Sequence, residues 1–255
     1  LVPVYSSSGI SGALGSYSGL AGLAGISLPS GGGESNSVKA IEKLNSLSFF
    51  ENNILTNIFL PDLMAVKSWN PSTNTLAYDE SIYIKNTNTW VRDYSYPGKQ
   101  IPSAQEGFGI FKNKHLNISQ DSSTGFITLT INHQSPLIAK QWAELIINEV
   151  NTFYRQKDKL ESEKAVRYLN QQIVMTGLSE IKQVIAELLQ EETQKLTLIE
   201  ANQYYVFDYI DPPMVMEQKS EPSRSLICIL SAILGGMLGL ILVLTKHYGF
   251  RKNTA

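Results

Sequence analysis

The chain holds little of what catalysis and metal binding usually require. Its 255 residues include one cysteine, Cys228, and three histidines, His115, His133 and His247. A single cysteine excludes an internal disulfide and a cysteine-based zinc cage. None of the histidines has a Cys, Asp or Glu at metal-ligand spacing, and they read as scattered, two near the hairpin predicted below and one just past the long apolar run. No G-x-S-x-G elbow, GxGxxG loop, Walker sequence or kinase-type nucleotide motif occurs. Net charge is low as well. The 21 Lys and Arg against 23 Asp and Glu leave −2, without the concentrated positive field that nucleic-acid phosphates demand. The chain is therefore read as a non-enzyme, with no catalytic residue, no metal, no cofactor and no nucleic-acid partner.

What the chain does have is a long apolar run. Residues 226–245 read LICILSAILGGMLGLILVLT, without one charge. A helix of about 20 residues rises about 30 Å, the thickness of a hydrocarbon core, so a transmembrane helix is expected. Lys246, Arg251 and Lys252 follow the run, against Lys219 and Arg224 before it. That bias places residues 246–255 in the cytoplasm and the bulk of the chain outside it. Gly235, Gly236 and Gly239 form a small-residue groove that another helix backbone can approach, and are read as transmembrane packing residues. The opening Leu1-Val2-Pro3-Val4-Tyr5 carries neither Met nor a signal sequence. A preceding membrane helix is expected to be missing from this chain.

Residues 6–37 form a Gly/Ser-rich loop, and residues 37–50 carry apolar side chains at helical spacing: Val38, Ile41, Leu44 and Leu47. A further short helix is expected at 51–57, then irregular structure with short strands from 61 to 102. Residues 115–120 and 126–132 are rich in β-branched side chains and flank DSSTG, which predicts a hairpin. Ser135-Pro136 then supplies a capping hydroxyl and a proline suited to the first helical turn.

Residues 137–175 lack Gly and Pro, and predict a rod of about 60 Å, which Gly177 breaks before a second helical run. The rod stripe comprises Leu160, Leu169 and Ile173, then Leu178, Ile181, Ile185 and Leu188. An antiparallel pair filling a core and an extended rod that self-associates both fit this pattern, and the rod is preferred beside a membrane anchor. The aromatic stretch 203–211 predicts a strand, ended by Pro212-Pro213.

Residues 188–213 (LLQEETQKLTLIEANQYYVFDYIDPP) resemble the closing segment of the Wzz family, the polysaccharide co-polymerases that regulate O-antigen chain length. There a return helix rich in Gln and Glu leads to a strand ending Ile-Asp-Pro, here Ile210, Asp211 and Pro212. A Pro- and Arg-containing linker follows, here with Pro222 and Arg224. The opening Leu1–Pro3 and Gly/Ser-rich segment, and the Ser135-Pro136-Leu137 helix start, are similar to that family too. Two departures stand out: Met216 occupies the place before Glu217 where the family often has proline, and the family's first transmembrane helix is missing, so its two-span topology is an inference. With the chain ending about ten residues past the span, the resemblance is to the kinase-free branch.

The resemblance implies an α+β fold: a membrane-proximal mixed α/β base, a long projecting helical hairpin or rod, and a C-terminal transmembrane helix. The expected divisions are a periplasmic base at 1–135, the helices at 136–202, the returning strand and linker at 203–225, the span at 226–245 and the cytoplasmic tail at 246–255. It further implies a bacterial inner-membrane protein assembled as a ring-like homo-oligomer. Its partners would be membrane lipid, a Wzy-type polymerase and a lipid-linked polysaccharide whose length it sets without catalysis. Two alternatives are a co-polymerase coupled to export of capsular polysaccharide or exopolysaccharide, and a membrane-tethered interaction module unrelated to glycans.

Overall fold

In the computed structural model, residues 1–4, 36–217, 219 and 224–246 are described, and the chain divides into two units, Leu1–Val215 and Met216–Ala255. Most of the Gly/Ser-rich loop, Pro222 and the tail from His247 onward lie outside the described residues.

The first unit opens with β1 (Val2–Pro3), whose partner lies far along the chain. It pairs antiparallel with the last strand of the unit, matching Val2 with Asp208 and Pro3 with Phe207. The ammonium group of Leu1 donates to the Ile127 carbonyl at 2.8 Å, and Ile127 N–H donates back to the Leu1 carbonyl at 3.1 Å. The opening residues thus bridge two distant parts of the unit.

Helix α1 (Asn36–Leu44) and the short α2 (Leu47–Phe49) replace the single run expected over 37–50. Ser46 makes the break. Its hydroxyl donates to the Lys43 carbonyl at 2.7 Å and accepts from Phe49 N–H at 3.3 Å, closing one helix and capping the next. The expected helix at 51–57 is a wide π-helical turn (Phe50–Ile54) and a 3-10 turn (Leu55–Asn57). Helix α3 (Leu60–Met64) leads to two small hairpins, β2 (Val66–Asn70) with β3 (Thr75–Tyr78), and β4 (Tyr83–Ile84) with β5 (Thr89–Trp90). Asn74 and Asn88 sit at their turns with φ of 49° and 53°, in the left-handed region that asparagine tolerates. These elements are the short strands and turns expected over 61–102.

Helix α4 (Ala104–Ile110) starts on a capping box between Ser103 and Glu106, and runs into a second π-helical turn (Phe111–His115). The expected hairpin follows as β6 (Leu116–Gln120) and β7 (Ile127–Ile131), paired in unbroken register from Leu116–Ile131 to Gln120–Ile127. Asp121 shapes its turn by accepting from the N–H groups of Ser123 (2.7 Å) and Thr124 (3.2 Å), and Gly125 takes the positive φ of 72°.

Helix α5 (Pro136–Met175) runs unbroken for 40 residues, with Ser135 as its cap and Pro136 in the first turn. Thr176, Gly177 and Leu178 connect it to α6 (Ser179–Ala201), with which it packs as a hairpin. Leu169, Ile185 and Leu188 are buried in their seam, and Ile173, Ile181, Val184 and Leu189 pack against them. The first half of α5 belongs to the main core. There Trp142, Ile146, Val150 and Tyr154 lie among Phe49, Phe50, Phe111, Ile127 and Phe207, and each such side chain contributes about 1.5–3 kcal/mol by leaving water. The last strand, β8 (Phe207–Asp208), is shorter than the strand expected over 203–211, for a reason given below.

The second unit is helix α7 (Arg224–Leu244), which contains one window, Ile227–Leu244, long and apolar enough to cross a membrane. The fold is thus mixed helix and sheet, with one such helix near the C-terminus.

Candidate functional site

The chemistry-bearing side chains of the first unit gather where the returning segment meets α5. Asn151 stands in the helix where the apolar stripe Ile147, Val150, Tyr154 would predict another hydrophobe. Its amide oxygen accepts from Val206 N–H at 2.7 Å and Phe207 N–H at 3.0 Å, and its amide nitrogen donates to the Phe207 carbonyl at 2.9 Å. This buried side chain thus takes the hydrogen bonds that a neighbouring strand would take, which is why β8 is so short.

Two further contacts extend the lock. The Tyr205 hydroxyl donates to the buried Asp158 carboxylate at 2.5 Å, and burial together with that carboxylate pushes Tyr205 far above the usual tyrosine range. The Arg155 guanidinium donates to the carbonyls of Asn202 (2.7 Å) and Gln203 (2.6 Å), closing the end of α6 against α5. Its Nε is buried and finds no partner among the described residues.

Beside this lock lies a cleft of about 310 Å³, between α5 and the segment 203–209. Glu144, Asn148, Thr152, Gln203, Tyr204 and Tyr209 line it, together with Asn151 and Arg155. The two tyrosine rings meet edge to face, with centroids 5.7 Å apart. Burial, Tyr204 and Glu144 together raise the Tyr209 pKa, so its hydroxyl stays a donor. Residues 203–209 were expected to be strand; the aromatic side chains there serve a cleft wall as well.

The histidines differ from expectation. His115 and His133, read as scattered, come together because the β6–β7 hairpin folds the chain back on itself, with Asn132 N–H donating to the His115 carbonyl at 2.8 Å. Their rings lie 5.8 Å apart, and both pack on Trp142 at 5.5 and 4.9 Å. His133 Nδ1 accepts from Ser135 N–H at 3.0 Å, and Nε2 contacts the Asp62 carbonyl at 3.0 Å, which fixes a neutral tautomer protonated at Nε2. Among the described residues no group of three or more His, Cys, Asp or Glu could hold a metal.

Burial lowers both histidine pKa values below their ordinary 6.5. For His115 the charges of His133 and Lys114 act in the same direction, while for His133 the Asp62 carboxylate opposes burial. The folded chain therefore binds fewer protons than the unfolded chain just below pH 6.5, and stability must fall there as pH drops. The stability is whole above the unfolded value and lost progressively toward the lower folded values. Urea midpoints from pH 7.5 to 5 are expected to decline below 6.5, and His133→Phe should flatten the decline.

The residues singled out in the sequence lie in different settings. Leu169, Ile185 and Leu188 are buried inside the hairpin of one chain, with Ile173 and Ile181 packed on them, whereas Leu160 and Leu178 are 48% and 62% exposed. Ile210 is 55% exposed, and Asp211 and Pro212 are exposed in the segment after β8. Arg224 begins α7, and Pro222 lies outside the described residues. Gly235, Gly236 and Gly239 have open space where a Cβ would stand among the described residues. No protein-family model and no curated protein matches the chain.

Proposed function

We propose that the chain is a non-catalytic regulator of polysaccharide length, of the kind the Wzz family represents. It acts as an oligomeric scaffold in a bacterial inner membrane on the Wzy-dependent polymerisation of O-antigen or a related lipid-linked glycan. The observation that carries this reading is the β1–β8 pair. It joins the first residues of the unit to the segment that returns from the α5–α6 hairpin, so both ends of the base lie together. A base whose ends meet, with a helical hairpin between them and an apolar helix after them, supports two-point anchoring in one membrane. The self-associating copies would use exposed hairpin residues such as Leu160 and Leu178, since Leu169, Ile185 and Leu188 are engaged within one chain.

Deleting the gene in the producing bacterium should leave glycan synthesis intact and replace a modal length by a broad, short-biased ladder on a gel. An unaltered ladder would sink the proposal. Loss of export with an unaltered ladder would point instead to a co-polymerase coupled to capsule or exopolysaccharide export.

A further inference from the structure

We propose that the cleft between α5 and residues 203–209 binds one or two sugar rings of a glycan. The inference rests on the glycan reading above and names where the glycan touches the chain. The ligand class follows from what the wall can satisfy. A phosphate or other anion would face the Glu144 carboxylate, beside an Arg155 whose Nη2 is held by two backbone carbonyls and whose Nε is left as a donor that a neutral hydroxyl can also satisfy. A divalent cation would find a single carboxylate there, too few oxygen ligands for a hard cation. An apolar ligand would cover the amides of Asn148 and Gln203 and the hydroxyl of Thr152 without partners, at about 1–3 kcal/mol for each group.

An uncharged ring carrying several hydroxyls fits all of these at once. Among the described residues, Asn148, Thr152 and Gln203 make no side-chain hydrogen bond, nor do the hydroxyls of Tyr204 and Tyr209, which leaves them able to serve a ligand. Amides offer donor and acceptor side by side, which suits neighbouring hydroxyls on one ring. Tyrosine combines an apolar ring for the C–H face of a sugar with a polar tip for its rim. The volume of about 310 Å³ lies at the small end of ligand sites, which accommodates a short stretch of glycan and excludes a folded one. The cleft is also held open. Asn151 and Arg155 pin the backbone of 202–207 from the helix side, so the wall is formed before any ligand arrives.

The test uses the full chain in detergent, titrated by calorimetry with oligosaccharides of one to three repeat units. These are released by mild acid from the producing bacterium's own lipid-linked glycan. Saturable binding is expected, weakened about tenfold by Gln203→Ala and likewise by Asn148→Leu, the equivalent of one lost hydrogen bond. Both side chains are exposed and make no hydrogen bond among the described residues, so both variants should keep the parent's urea midpoint. Absence of binding up to millimolar concentration overturns the proposal, as does binding that neither variant weakens. The two readings separate cleanly. A disturbed length ladder on gene deletion without saccharide binding removes the cleft and leaves the length regulator. Binding through the cleft with an unaltered ladder does the reverse.

Discussion

Asn151→Leu is expected to lower the stability of the base by about 3–5 kcal/mol, because three backbone groups lose their partners at once while remaining buried. Each unsatisfied group costs about 1–3 kcal/mol, and water has little access to replace the amide. The variant gains apolar surface, so simple hydrophobicity predicts the opposite sign. Urea unfolding of the detergent-solubilised chain, followed by tryptophan fluorescence, measures the difference. The nearby Asn148→Leu carries the same chemical change at an exposed position and should move stability by no more than about 0.5 kcal/mol. Equal effects at the two positions would show that the hydrogen bonds to Val206 and Phe207 do not hold the returning segment.

Trp142→Ala has the second large effect. The indole is 5% exposed and touches Phe111, His115 and His133, with ring centroids at 6.3, 5.5 and 4.9 Å. Removing so large a buried side chain costs about 3–5 kcal/mol, part of it as a cavity that the surroundings only partly fill. A second consequence separates this residue from any other core position. The indole is part of what keeps water from both imidazoles. Without it their pKa values move back up toward 6.5, and the fall in stability below pH 6.5 should become shallower. A steeper or unchanged fall in the variant would mean that other groups shield the histidines.

Local patterns made much of this fold readable. The hairpin at 116–131, the start of α5 at Ser135-Pro136, its length to Met175 and the break at Gly177 each follow from turn chemistry, capping or the absence of breakers within a few residues. The apolar helix near the C-terminus is legible for the same reason. Where the reading failed, distant groups decided. The segments around Phe50 and Phe111 read as ordinary helix or went unread, yet both widen into π-helical turns whose phenylalanine rings sit 5.1 Å apart. Packing between residues so far apart in sequence leaves no periodic trace.

The site shows the same division. The rod stripe was visible as a stripe, but whether it faced a second helix of the same chain or another molecule was not encoded in its spacing. Asn151 was legible only as an oddity, an amide between Ile147, Val150 and Tyr154. The histidine pair could have been found from the hairpin register, which places residue 115 opposite residue 132. Arg155 and Asp158 gave no signal, since charged residues on a long helix are ordinarily solvated.

The first strand of the base has a temporal meaning as well as a spatial one. Val2 is made well before its partner Asp208, which comes only after the whole α5–α6 hairpin. Pairings of such wide sequence separation form late, and domains complete themselves only when their last element has left the ribosome. The hairpins and the helical pair can assemble as they emerge, since their contacts are local. Closure of the sheet, and with it the burial of Phe207, has to wait until synthesis has reached the segment just ahead of α7. Maturation of the base is thereby coupled in time to delivery of the apolar helix.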